Sequence, residues 1–229
     1  MRRLLVTAIL ASFVFIEAGG AAAGLPSQLL IGFEGSTLDN GVPQQPWTVT
    51  LREGKAGATV TSDGERKVLH LKCLNSSFAV ERSLTVMPSE YPLVSWEWKA
   101  VKLPASGDLR EKSRNDQAMQ ILFVFEGNRV ISYVWDSNAP EGTISDESIG
   151  WPFNLRIKVL VVKSGHGGID SWLMAKRNIY EDYKAFFHEE PIRLVGLRVQ
   201  TNTQYTKDIA EGFVGKIAFS QDVRAAVSQ

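Results

Sequence analysis

The sequence predicts an all-β fold, a sandwich or barrel, for everything after the first two dozen residues. From Leu29 onward the hydrophobic period is mostly two. The apolar runs are short and separated by Gly, Pro, Asn, Asp and Ser, and helical spacing is nearly absent. The composition agrees, since 44% of the 229 residues are hydrophobic and 22% charged, which places the chain among ordinary globular proteins able to bury a core. Twenty-five Lys and Arg balance 25 Asp and Glu, so no net field draws the protein to nucleic acid or an anionic membrane, and no nucleic-acid partner is expected.

The first residues read differently. Arg2 and Arg3 precede an apolar run from Leu4 to Ile16, followed by Glu17, Ala18, Gly19, Gly20 and three alanines ending at Ala23. That order is the basic, apolar and small-residue pattern of a secretory signal peptide over 1–23. The run is shorter than the roughly 20 residues a spanning helix needs, and no Cys follows it to carry a lipid. The expectation is export to a periplasmic or secreted location without stable membrane insertion, leaving 24–229 as a single β-sandwich domain. The only cysteine, Cys73, shares a strand face with Leu69 and Leu71, which reads as a buried, inert thiol.

Candidate strands follow in order at 29–34, 47–51, 58–61, 67–74, 78–86, 93–101, 117–125, 130–136, 155–162, 171–176, 192–200 and 213–219. The sharpest alternation sets Leu155, Ile157, Val159 and Val161 against Arg156 and Lys158, giving a strand with one wet face at its start. By contrast, Met119, Ile121, Phe123 and Phe125 alternate with Ala118, Leu122 and Val124. Both faces of that strand are apolar, which places it at the sheet's middle. One short helix is expected near 178–187. Asn178 supplies an N-cap with Glu181 three positions on, Ile179, Tyr183 and Phe186 or Phe187 form one apolar face, and Pro191 closes the segment. The stretches 102–115 and 137–154 are the longest without strand signals, long enough to be functional loops.

Several chemistries lack their residues. The three histidines, His70, His166 and His188, show no zinc-ligand spacing, and there is no nucleophile elbow, phosphate loop or dinucleotide fingerprint. The run Ser164-Gly165-His166-Gly167-Gly168 reads as a glycine-rich hairpin connection rather than a catalytic constellation. No catalytic residue, cofactor or metal ligand is assigned. A glycosidase needs only two suitably separated carboxyl groups, for which Glu97, Asp116, Glu126 and Asp136 are candidates.

Binding residues are better represented. Trp96 and Trp98 lie two apart and share a strand face, as do Tyr133 and Trp135; either pair serves as core or as a platform on which sugar rings stack. Trp47, Trp151 and Trp172 complete the set of six. Arg177 precedes the helix and Asp182 follows on its first turn, so the guanidinium is either a ligand fork or a clamp to Asp182 or Asp116. Two polar clusters, Asn115-Asp116-Gln117 and Gln200-Thr201-Asn202-Thr203-Gln204, sit at strand ends.

These runs, with Tyr91-Pro92-Leu93-Val94-Ser95-Trp96-Glu97-Trp98-Lys99, Tyr133-Val134-Trp135 and Arg177-Asn178-Ile179-Tyr180-Glu181-Asp182-Tyr183, resemble the bacterial exported family of domain of unknown function 3047 across nearly all of 31–219. The resemblance implies a jelly-roll-like antiparallel β-sandwich similar in outline to carbohydrate-binding modules. The family has no established activity, so no catalytic role carries over. It implies that Trp96, Trp98, Asp116, Tyr133, Trp135, Arg177, Asn178, Asp182, Gln200 and Asn202 belong together, as ligand site or as scaffold. The function expected is binding of a glycan or similar polar small ligand. The alternatives are a glycoside hydrolase or lyase using paired carboxylates, and a non-catalytic envelope protein-interaction module.

Overall fold

The computed structural model describes residues 26–221 except 37, 151 and 153. The signal-peptide expectation at 1–23 and the position of Trp151 therefore lie outside the described residues. In chain order the elements are β1 (Gln28–Ile31), β2 (Leu38–Asp39), β3 (Val42–Pro43), β4 (Thr48–Glu53), β5 (Ala58–Asp63), β6 (Arg66–Leu74), β7 (Ser77–Val86), β8 (Leu93–Lys102), β9 (Met119–Phe125), β10 (Arg129–Asp136), β11 (Ile144–Ile149), β12 (Leu155–Ser164), β13 (Leu173–Asn178), α1 (Ile179–Phe187), β14 (Leu194–Asn202) and β15 (Ile209–Ser220).

The strands form a six-stranded sheet in the order β13-β8-β15-β6-β5, with β1 pairing β15 beyond the end of β6, and a seven-stranded sheet in the order β11-β12-β10-β9-β14-β7-β4. β2 and β3 make a separate short ribbon. Pairing is antiparallel except between β10 and β12. The fold is a jelly-roll-like β-sandwich with one short helix. The two C-terminal strands are inserted centrally, β14 between β9 and β7 and β15 between β8 and β6.

Period-two alternation sends the large side chains of both sheets into one core. Trp96 and Trp98 on β8 face Tyr133 and Trp135 on β10. Trp96 stacks on Tyr133 with centroids 5.2 Å apart, Trp98 meets Trp135 at 5.8 Å, and the two β8 indoles meet edge to face at 5.4 Å. All four rings are at most 1% exposed. Each such pair contributes about 0.5–1.5 kcal/mol beyond the area it buries. β9 is the fourth of seven strands, the central place its two apolar faces require.

The helix starts where the sequence signals it. Asn178 accepts a hydrogen bond from the Glu181 backbone N–H at 3.0 Å, and Ile179, Tyr183, Phe186 and Phe187 are buried. His188 ends it in the left-handed conformation, its N–H donating to the Lys184 carbonyl. Cys73 is buried beside Ser76.

Two expectations change. The segment 137–154 is not irregular throughout, because it contains β11, whose Ile-Ser-Asp-Glu-Ser-Ile sequence carries too little apolar alternation to announce a strand. Charges along an edge strand of this kind discourage pairing with other chains. The glycine run after β12 is not a hairpin turn either. β12 and β13 belong to different sheets, so it carries the chain from one layer to the other. Gly165 and Gly168 have φ of +67° and +88°, and a Cβ at Gly168 would stand 2.9 Å from a Leu173 methyl.

Candidate functional site

The face of the seven-stranded sheet turned away from the core forms an open groove of about 800 Å³. Its lining is fixed by the pleat. Where Ile121, Phe123, Tyr133, Leu197 and Val199 point inward, their neighbours Gln120, Leu122, Ser132, Arg198, Gln200 and Asn202 line the groove. The alternation of β12 completes it in an unexpected way. Ile157 and Val159 face the groove, and Val159 and Val161 pack with Leu109, Val134 and Ala139 in a second small cluster outside the main core. The floor is therefore apolar on the β12 side and polar along β14.

One end of the groove is built from amides. Gln200 and Gln120 are paired across β14 and β9, with the Gln200 amide donating to Gln120 Oε1 at 3.5 Å. Gln120 Nε2 donates to Asn202 Oδ1, which also accepts from the Gln117 backbone N–H. Asp116 fixes this end. Its Oδ1 accepts from Asn202 Nδ2 at 2.9 Å, and its Oδ2 accepts from the backbone N–H groups of Tyr205 and Thr206 and from the Thr206 hydroxyl at 2.6–2.9 Å. Asn115 donates to Glu147 Oε1 at 2.8 Å, tying this end to β11. At the other end Arg193 donates twice to Glu126 Oε1.

Arg198 occupies the middle of β14, 3% exposed, with Leu122 and Glu81 as its cross-strand partners. Nη1 lies 3.5 Å from Glu81 Oε2, while Nε and Nη2 have no hydrogen-bond partner among the described residues. Burial, reinforced by the positive charge of Arg52, pulls its pKa down to about 10, against the opposing pull of Glu81. The group still carries its charge at neutral pH. Two other lining atoms, Ser132 Oγ and Gln204 Oε1, are likewise buried without a partner among the described residues.

The structure divides the residues singled out from the sequence. Gln200 and Asn202 line the groove. Trp96, Trp98, Tyr133 and Trp135 form the inter-sheet core rather than an open stacking platform, because their strand faces are the ones the two sheets press together. Arg177, Asp182 and Asn178 secure the helix instead. Arg177 Nε donates to Asp182 Oδ2 at 2.8 Å and Nη2 to Oδ1, the Tyr133 hydroxyl donates to the same carboxylate at 2.6 Å, and Asn178 caps α1. Hydrogen bonding to Asp182 raises the pKa of Arg177, and burial, then the Asp182 charge, raises that of Tyr133 well above its ordinary value. Asp116 stands behind the groove as its loop anchor.

The candidate carboxylates are dispersed among separate structural bonds. Glu97 pairs with Arg66 on the six-stranded sheet and Glu126 with Arg193. Asp136 accepts from the backbone N–H groups of Leu109, Asn138 and Ala139, and burial raises its pKa despite them. Sequence reading did not single out Arg198, Gln120, Ser132 or Glu147. The available signal for Arg198 was its position two residues before Gln200 on the same strand face. Among the described residues, no group of three or more His, Cys, Asp or Glu could hold a metal ion, and no helix is long and apolar enough to cross a membrane.

Residues 45–218 match the family described as Protein of unknown function (DUF3047). The chain belongs to this family. A search of curated proteins gave no match. Among solved structures, the chain is similar to the xyloglucanase domain of NopAA, a type three effector from Sinorhizobium fredii, in complex with cellobiose. The identity is 10%, coverage is 84% of this chain and 96% of that one, and the TM-score is 0.45. The family 11 carbohydrate-binding module of the cellulosomal cellulase Lic26A-Cel5E of Clostridium thermocellum is similar at 10% identity, with 87% and 97% coverage and a TM-score of 0.43. Endoglucanase 3 from family GH12 of Trichoderma harzianum follows at 7% identity, 78% and 99% coverage and a TM-score of 0.40. These are likenesses of outline, and no residue of this DUF3047 chain takes a role from them.

Proposed function

We propose that this DUF3047 protein binds a linear oligosaccharide along the groove of its seven-stranded sheet. The observation carrying the reading is the lining itself, an open channel with an apolar strip beside a row of amides. Gln120 and Gln200, held in place by Asn202, keep donor and acceptor capacity beyond the bonds of the amide row, which suits hydroxyl groups that both give and accept hydrogen bonds. The apolar strip of Leu122, Val130, Ile157 and Val159 suits the C–H faces of sugar rings. A peptide is a poorer fit. Peptides commonly add to a sheet edge through backbone pairing, whereas the floor strands β9, β10 and β14 are each paired on both sides. Binding is favoured over hydrolysis because the groove's centre holds an arginine and amides, while Glu126 is engaged by Arg193. The expected setting is outside the cytoplasm, following export directed by residues 1–23.

The test is isothermal titration of the mature protein with a panel of linear oligosaccharides, combined with product analysis for cleavage. Binding to at least one member, weakened about tenfold or more by Gln200→Ala and Gln120→Ala in variants whose circular dichroism and cooperative melting show the fold retained, is expected. No binding to any member, or affinity indifferent to both substitutions, refutes the reading. Release of shorter products would replace binding by catalysis.

A further inference from the structure

Four arginines of this protein can be compared by how they use the Nε–Nη2 edge, the side of the guanidinium that grips a carboxylate with two parallel hydrogen bonds. Arg110 turns that edge to Asp108 at 2.9 and 2.7 Å, Arg177 turns it to Asp182, and Arg193 turns it to Glu126. Arg198 is more deeply buried than any of these three, yet the same edge meets no acceptor among the described residues; only Nη1, on the opposite side, approaches Glu81. Glu81 is itself shared. Its Oε1 accepts from the Thr50 hydroxyl at 2.6 Å, and its charge acts on both Arg198 and Arg52. Two cations thus depend on one carboxylate, and a desolvated cation without full compensation is costly to the fold. Both line the groove, Arg198 at its floor and Arg52 at its exposed rim.

We propose that the groove selects an acidic oligosaccharide, whose carboxylate compensates the under-paired charge of Arg198 at the floor while Arg52 supplies a second positive charge from the rim. This rests on the oligosaccharide reading of the groove and adds its chemical class. The amide row then orders the hydroxyl groups of the neighbouring residues, so uronic-acid units rather than isolated carboxylates are the recognised species.

Titration at low and physiological salt tests this with matched pairs: oligogalacturonates and oligomannuronates against their carboxyl-reduced neutral forms, with a sulfated oligosaccharide and poly-glutamate as further arms. At least one uronate is expected to bind tenfold or more tighter than its reduced partner, with affinity falling as salt rises. Arg198→Lys keeps the charge but loses the fork. It is expected to weaken the uronate about tenfold and to narrow the preference for the uronate over its reduced partner. Arg52→Gln, at an exposed position, should cost the uronate a few-fold with unchanged melting temperature, and it carries the test if Arg198→Lys does not fold. Equal affinity for the acidic and reduced members of both pairs overturns the inference but leaves the oligosaccharide reading standing. So does uronate affinity indifferent to the substitutions, or preference for the sulfate ester. Poly-glutamate binding as tightly as the uronate, or no binding by any sugar, overturns both.

Discussion

Asp116→Ala removes the anchor on which one end of the groove depends. The carboxylate is fully buried and receives four hydrogen bonds, three at Oδ2 from Tyr205 and Thr206 and one at Oδ1 from Asn202. A hydrogen bond to a charged group contributes about 1.5–3 kcal/mol. The four are not additive, because they converge on one group and because the Tyr205 loop, with its side chain 47% exposed, can turn its freed N–H groups to water. A loss of about 3–5 kcal/mol is therefore expected, which for a domain of this size is roughly 6–20 °C in melting temperature. Urea denaturation followed by intrinsic fluorescence measures it. Asp116→Asn keeps one carbonyl acceptor and should recover part of the loss. A cost below about 1 kcal/mol, or an asparagine variant no better than alanine, would refute the assignment of Asp116 as anchor.

Three further outcomes follow from the packing and the charges. Trp96→Phe should cost about 1–3 kcal/mol by leaving space between the sheets, yet leave oligosaccharide affinity unchanged, since the ring has no access to the groove; calorimetry and titration read the two effects separately. Hydrogen bonding from Arg110 holds the Asp108 carboxyl below its ordinary 3.8, so the stabilisation it brings is present above that value and is lost as pH falls through the depressed one. Asp108→Asn should then flatten stability against pH below about pH 4 relative to the parent, as measured by urea midpoints across an acid series. Cys73, fully buried beside Ser76, should resist an aromatic disulfide reagent in the native protein and react completely in denaturant.

The fold was largely legible because its core obeys one period. Met119, Ile121, Phe123 and Phe125 announce an inward face, and Asn178 with Glu181 announces the helix start. What alternation does not specify is which side of a sheet a face belongs to. Leu155, Ile157, Val159 and Val161 announce one apolar face of a strand without saying what that face meets, and Ile157 and Val159 floor the groove. Trp96 and Trp98 share a face in sequence, and only the arrival of β10 from the opposite layer decides that it is the enclosed one. Gln200 and Asn202 stood out as a cluster of amides. Arg198 did not, because a lone arginine in a strand ordinarily points to water, and its burial follows from neighbours brought in by β7 and β9, far away in sequence.

The order in which the strands enter their sheets has a consequence for biosynthesis. Both layers are closed from the middle by the last two strands, so a growing chain that has reached α1 holds four unzipped edges, on β7 and β9 in one layer and on β6 and β8 in the other. Neither half of the sandwich exists on its own until the C-terminal keystones slide into place. A chain clipped ahead of Leu194 should therefore aggregate rather than survive as a smaller domain, and a separately supplied peptide spanning β14 and β15 should rescue it.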